Sequence, residues 1–466
     1  MSRNSDKLKN NALVTNKQIT KKHGDLANLF QHGVSIHQQG RTTEASAIYR
    51  HVLAFHPEHV DTLYLLGVAE FQLGNHQAAV NLYHKVIKIK PDHMMAYNNL
   101  GIVLGMGSRW QEALAIYEKA IQANSGFAIT FYNKGQALIE IRQYEAAIST
   151  FDKALALHAD FAEAFLNRAF AHYSLKNYES ALLDLNQAIR IQPKNPKALN
   201  IRGLCLYGLH RINEALKDFD SAIHLEPNLA EAWYNRGNVL NDLKRFDDSL
   251  ESFDKALAIQ PETDFLLGTW IHSKMMVGDW KGFEDNLELL TYRISQNKKS
   301  SASFAVLTLS DSLEVQRKAA EIWVREKFPF NPVLGPIKKL AKKDKIRIGY
   351  FSPDFRNHPM AQWVAELFEL HNKNKFEIFG FYFGPPTADA MHQRIAGAFT
   401  NFLDVSDKND QEIALLSREL GIDIAIDLAG FTEFSRTGIF AYRAAPLQVN
   451  YIGYPGTMGA EYIDYI

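Results

Sequence analysis

The chain has 466 residues, with 51 Lys and Arg against 52 Asp and Glu and a formal net charge of −1 at pH 7. That length calls for two or three domains, and a near-neutral balance argues against nucleic acid or an acidic membrane as the main partner. No apolar run approaches the roughly 20 residues that cross a bilayer, and the lone Cys205, between Leu204 and Leu206, cannot close an internal disulfide. A reducing compartment and a buried small hydrophobe are the readings that follow. Residues 1–25 are polar and basic without the apolar centre of a secretory signal, so a flexible leader is expected. A mitochondrial transit peptide fits poorly, since arginine is not enriched and Asp6 is present.

From 26 to 263 one unit of 34 residues recurs seven times. Its turn proline falls at Pro57, Pro91, Pro193, Pro227 and Pro261, with Ser125 and Ala159 at the two remaining places. Ten residues on stands a small residue, at Gly33, Gly67, Gly101, Gly135, Ala169, Gly203 and Gly237, where two helices must approach closely. Twelve further on is a second small residue, at Ala45, Ala79, Ala113, Ala147, Ala181, Ala215 and Ser249. A bulky core residue follows: Tyr49, Tyr83, Tyr117, Phe151, Leu185, Phe219 and Phe253. Small, large and turn positions recurring in phase resemble the tetratricopeptide repeat, two antiparallel helices per unit stacked into a superhelix with a concave inner face. Asparagine recurs two residues before the first small position, at Asn99, Asn133, Asn167 and Asn235. Such a ladder suits gripping the backbone of an extended peptide, because an amide both donates and accepts. It is also simply common at that place in the repeat, and both readings stay open.

Residues 264–344 read as a helical cap and linker. Asp264 to Arg293 suggests two helices with Trp270, Trp280 and Phe283 on apolar faces, and after a polar stretch, Gln296 to Ser301, helical spacing returns from Leu313 to Lys327. A proline-containing connector, Pro329 to Pro336, leads to a basic run, Lys338 to Lys345, more often a solvated helix face or linker than a phosphate site. Beyond Lys345 the period changes. Runs rich in β-formers, Ile346 to Phe351, Phe376 to Phe383, Ile422 to Leu428 and Leu447 to Ile452, alternate with helical patterns at Pro359 to His371, Asp389 to Ala398 and Asp410 to Leu420. That alternation predicts a doubly wound, Rossmann-like α/β domain with parallel strands over 345–466, its chemistry at the carboxyl ends of the strands.

Three loops there are candidates. The first is Ser352 to Pro359, where Pro359 suits the first helical turn and puts His358 at the helix N-terminus. A neutral imidazole there can accept a proton or orient a hydroxyl, or simply cap the helix. Asp354 is equally open, as cap, turn residue or carboxylate. The second is Asp427 to Thr432, where Gly430 allows close approach and Thr432 can donate. The third, Gly453 to Gly459, has three glycines in seven residues: its amides could bind phosphate or sugar oxygens, or make only a tight turn.

Taken together, KIRIGYFSPDFRNHP, DLAGFT and RAAPLQVNYIGYPGTMGAEYIDY resemble the first half of the catalytic region of the O-linked N-acetylglucosamine transferase and SPINDLY family, and FAVLTLSDSLEVQRKAAE resembles its bridge after the repeats. The resemblance implies the N-terminal half of a GT-B glycosyltransferase that moves N-acetylglucosamine from UDP to Ser or Thr hydroxyls with inversion, without metal or other cofactor. It implies His358 as the active-site histidine, flanked by Asn357 and Pro359, and Gly453, Tyr454, Pro455, Gly456 and Thr457 as lining of the acceptor cleft. Phe431 departs from the polar residue of many relatives. It also implies that the donor-binding half would follow Asp464 and Tyr465, so the chain is expected to be truncated, to bind acceptor protein on its repeats and to hold UDP-GlcNAc poorly. The implied location is the cytoplasm. A non-catalytic repeat scaffold is the alternative; a fucose nucleotide as donor and homodimerisation stay open.

Overall fold

The computed structural model describes residues 26–337 and 344–466; the leader and residues 338–343 of the basic run lie outside the described residues. It divides into two compact units, one running to Lys194 and one of Asn195–Ile466. The division falls between two repeats.

In the first unit a helix over 26–38 is followed by Thr42–Phe55, and four further pairs run from Val60–Gln72 with His76–Ile89 to Ala162–Ser174 with Tyr178–Ile191. The second unit opens with two more pairs, Pro196–Gly208 with Ile212–Leu225 and Ala230–Asp242 with Phe246–Ile259. These are the seven anticipated repeats. The reason for the small residue is steric: a Cβ built on Gly67, Gly135 or Gly203 would come within 3 Å of the ring of Tyr83, Phe151 or Phe219, sixteen residues on. All seven bulky positions are at most 3% exposed. Each ring therefore occupies the volume that the glycine leaves empty, and the close packing of interiors makes the pairing costly to disturb. Cys205 is buried, and burial pushes its thiol up to about 12, which leaves it inert at neutral pH.

After the repeats, Leu266–Met276 and Phe283–Ser295 form the two anticipated helices. Trp270 and Phe283 pack against a shared core, but Trp280 does not: it is 57% exposed and only meets Phe283 edge-on at 5.2 Å. A short helix, Ser303–Leu309, was not anticipated. The Leu313–Lys327 helix is a wedge between two cores. Ala319 and Ile322 pack with the cap helices, whereas Ala320 and Val324 pack on the α/β sheet.

The sheet has five parallel strands, β1 (Ile346–Ser352), β2 (Phe376–Tyr382), β3 (Asn401–Asp404), β4 (Ile424–Asp427) and β5 (Leu447–Asn450), in the order β3-β2-β1-β4-β5. β3 escaped the sequence reading because this edge strand is polar and exposed at both ends, Asn401 and Asp404, and offers only Phe402 and Leu403 as apolar residues. Helices α1 (Pro359–Leu370) and α2 (Ala390–Ala398) cover one face around Tyr350, Phe355 and Phe368. On the other face α3 (Asp410–Glu419), α4 (Gly438–Ala441) and the wedge helix pack around Phe351, Phe381 and Phe440. No helix among the described residues is long and apolar enough to cross a membrane.

Candidate active site

The chain leaves β1 toward β2 and β3 on one side, then returns to lay β4 and β5 on the other. Strand order thus reverses between β1 and β4, and loops leaving the carboxyl ends of these neighbours diverge to opposite faces, the place at which such sheets generally bind ligands. The loop after β1 carries His358; the loop after β4 begins at Asp427.

The first loop is held from three directions. Ser352 Oγ accepts the Asp354 amide at 2.9 Å, the carboxylate of Asp389 accepts the Asn357 amide at 2.9 Å, and His392 Nδ1 lies 2.7 Å from the Phe355 carbonyl. Hydrogen bonds from the Asn357 and His392 amides hold Asp389 down at about 2. His358 then caps α1: its Nδ1 accepts the Met360 amide at 3.2 Å, while 38% of the side chain stays exposed. Asp354 is 6% exposed, and burial raises its carboxyl despite His358 at 3.8 Å and Arg356 at 3.3 Å. It is no helix cap. Asn357 and Pro359 are exposed beside it.

The second and third loops form one packed body. Asp427 Oδ1 accepts the amides of Ala429 and Gly430 at 2.9 and 3.1 Å, and Thr432 donates to the Ala429 carbonyl. Gly453 lies so close that a Cβ there would collide with the Leu428 carbonyl. Desolvation pushes the fully buried Asp427 up to about 6. Its Oδ2 and the Oδ1 of Asn450 are both buried without hydrogen-bond partners among the described residues. Phe431 is a core residue, edge-on to Tyr454 and stacked on Phe328. Tyr454 is 3% exposed and shares a hydrogen bond of 2.9 Å with Ser303 Oγ. Pro455 is exposed, and Gly456 and Thr457 are half-buried.

Asn357, His358 and Pro359 therefore cluster at the start of α1, on one face of the sheet, and Gly453 to Thr457 pack with the core of the other face. Among the described residues no hydrogen bond or ring contact joins the two groups; what they share is the carboxyl edge. In the repeats, Asn99 and Asn167 donate to Tyr64 and Tyr132 at 3.1 Å, each 35 residues back, and Asn235 donates to Asn200 at 3.0 Å. Asn133 is buried. In three of the four, part of the amide is spent on stacking one repeat on the next. Asp354 and Asp427 were visible as polar residues after strands, but their burial was not.

A glycosyl transferase family 41 model matches residues 320–466, and tetratricopeptide repeat models match 60–125, 132–196 and 230–262. The Arabidopsis thaliana protein described as probable UDP-N-acetylglucosamine–peptide N-acetylglucosaminyltransferase SEC is 38% identical over 161 residues, 33% of this chain and 16% of that one. A Caenorhabditis elegans UDP-N-acetylglucosamine–peptide N-acetylglucosaminyltransferase is 33% identical over 26% of this chain and 11% of its own. The Arabidopsis protein described as probable UDP-N-acetylglucosamine–peptide N-acetylglucosaminyltransferase SPINDLY is 34% identical over 26% and 14%. The chain thus spans less than a fifth of the curated relatives it matches. A solved Thermobaculum terrenum O-GlcNAc transferase aligns over 65% of this chain and 52% of its own at 23% identity and a TM-score of 0.39, too low for any residue to be carried across.

Proposed function

We propose that the chain, which is similar in sequence to O-GlcNAc transferase/SPINDLY-like tetratricopeptide-repeat glycosyltransferases, serves transfer of N-acetylglucosamine from UDP-GlcNAc to Ser and Thr of proteins. The observation that carries the reading is the family 41 match over 320–466, together with a half-buried histidine capping a helix at the point where strand order reverses. The acceptor hydroxyl oxygen bonds to the anomeric carbon opposite UDP, the bond to the diphosphate oxygen breaks with its electron pair leaving on UDP, and the hydroxyl proton passes to a base or to water. His358, with Asn357 and Pro359, faces that oxygen; Gly453, Tyr454, Pro455, Gly456 and Thr457 form the other side of the crevice, with Tyr454 as its buried anchor. Acceptor polypeptide lies along the repeats, where Asn99, Asn133, Asn167 and Asn235 offer what remains of their amides. The reaction takes place in the cytoplasm and uses no metal.

Mass spectrometry of Ser- and Thr-containing proteins, from cells with and without the natural protein, tests the reading. An N-acetylhexosamine on hydroxyl side chains that disappears with the protein is the expected result. A deoxyhexose in its place identifies a fucose donor, and no difference in either sugar defeats the proposal. For the 466 residues themselves, which span less than a fifth of the curated relatives they match, calorimetry should find UDP bound more weakly than micromolar.

A further inference from the structure

The ring of His358 is constrained by what its Nδ1 touches. That nitrogen accepts the Met360 amide hydrogen at 3.2 Å, so its lone pair is engaged, and in a neutral imidazole the ring hydrogen then sits on Nε2. The same Nδ1 stands 3.8 Å from Asp354 Oδ2, a carboxylate that is 6% exposed. A carboxylate at that place favours the opposite tautomer, with Nδ1–H aimed at Asp354 and a bare lone pair on Nε2. Two groups therefore compete for one nitrogen.

Arg356 weighs in that competition. Its Nη2 meets Asp354 Oδ1 at 3.3 Å, and among the described residues it has no other ion pair. Its Nε is buried with no hydrogen-bond partner among the described residues, so the contact with Asp354 is made through Nη2 alone. The neighbouring carboxylate, Asp389, is occupied elsewhere: its oxygens take the amides of Asn357 and His392 and the hydroxyl of Thr387. Among the described residues, Asp354 is the carboxylate left to face the ring.

We propose that Asp354 is a positioning residue which, against the Met360 amide, decides whether His358 meets its ligand as hydrogen-bond donor or as proton acceptor, and that Arg356 holds the balance on the donor side. The proposal rests on the reading of His358 as part of a sugar-transfer site. In the donor state Nε2–H can orient an oxygen of the acceptor or the sugar, but it cannot take the attacking hydroxyl's proton, which then passes to solvent. Loosening Arg356 from Asp354 frees the carboxylate to draw Nδ1–H, and the ring becomes a base.

The states are separable by ring-nitrogen NMR on the whole chain with 15N-labelled histidine in alkaline buffer, where imidazole is neutral, using His358→Gln to identify the signals by difference. The unaltered protein should show an unprotonated Nδ1 and a protonated Nε2. Arg356→Gln, a change at a side chain 30% exposed, should raise the Nδ1–H share roughly tenfold, the weight of one charge-assisted hydrogen bond. Adding Asp354→Asn to it should restore the first pattern. A protonated Nδ1 in the unaltered protein, or an Arg356→Gln spectrum unchanged from it, overturns the proposal. No sugar nucleotide is present, so such a failure leaves the glycosyl-transfer reading standing, and an absence of transfer leaves the nitrogen assignment standing.

Discussion

The repeats and the α/β region are built from similar residues but constrain them differently. Each packing position of the repeat is filled seven times, so the chain displays its own substitution series: glycine stands opposite Tyr or Phe in six repeats, and in the one where the ring shrinks to Leu185 the small residue grows to Ala169. The sum of the two volumes is what is kept. In the α/β region every loop occurs once, and nothing in the sequence repeats the experiment. There the decisive facts, the burial of Asp354 and Asp427 and the face on which each loop packs, come only from the structure.

The largest expected effect would break the volume rule at its centre. Phe151→Ala empties a fully buried site in a packed repeat and should cost about 3–5 kcal/mol in urea unfolding; a loss below about 1 kcal/mol would mean that stacked neighbours carry the repeat without its ring.

Next in size is a test that belongs to the α/β region alone. Asp427 titrates at about 6 in the fold against an ordinary 3.8, so the folded state binds this proton more tightly than the unfolded chain. Stability should therefore fall as pH rises from about 4 to about 6, by up to about 3 kcal/mol for this group. Asp427→Asn keeps an acceptor for the Ala429 and Gly430 amides and removes the titration. Its stability curve against pH should be flatter by that amount, and a curve parallel to that of the parent would show that the carboxylate is not desolvated.

Gly135→Ala should cost about 1–3 kcal/mol by pressing on the Phe151 ring. Adding Phe151→Leu recreates the Ala169 and Leu185 pair and should recover much of that loss relative to the two single changes summed. Strict additivity would refute a shared volume.

The smallest effect concerns the turns between paired helices. Positive φ recurs there at Gly40, Gly74, Ser108, Arg142, Lys176, His210 and Lys244 in phase with the repeat, with values between 56° and 79°. Only two of those seven are glycine. Replacing Arg142, Lys176 or Lys244 by Gly should stabilise by about 0.5–1 kcal/mol each, because a side chain strains the left-handed conformation; destabilisation would show that side-chain contacts outweigh it.

These cases mark what could be read beforehand. Repeat count, helix pairing, the glycine sites and the buried rings were legible because period and residue size are local properties that recur. The left-handed turns were hidden because Arg, Lys, His and Ser there carry no signature. The ion pairs Arg168–Asp184 and Arg202–Asp218, whose carboxylates are 5% exposed, were missed because charged residues were read as surface; equal spacing of sixteen in successive repeats was the signal. In the α/β region strands and helices were legible from the change of period, and His358 as a helix cap from Pro359. Which face each loop packs on was not, since a motif fixes local geometry and says nothing of the side of the sheet to which its crossover turns. Tyr454, expected to line a cleft, is for that reason a buried anchor.

The most direct measurement compares the natural protein with its His358→Ala form in transfer of N-acetylglucosamine from UDP-GlcNAc to a Ser- or Thr-containing acceptor, with urea unfolding of both alongside. The account predicts that transfer falls about 100-fold, the scale of losing one group aimed at the reacting centre, while the unfolding midpoint of the repeats stays in place. Equal transfer by the two proteins, or none by a folded parent, would contradict it.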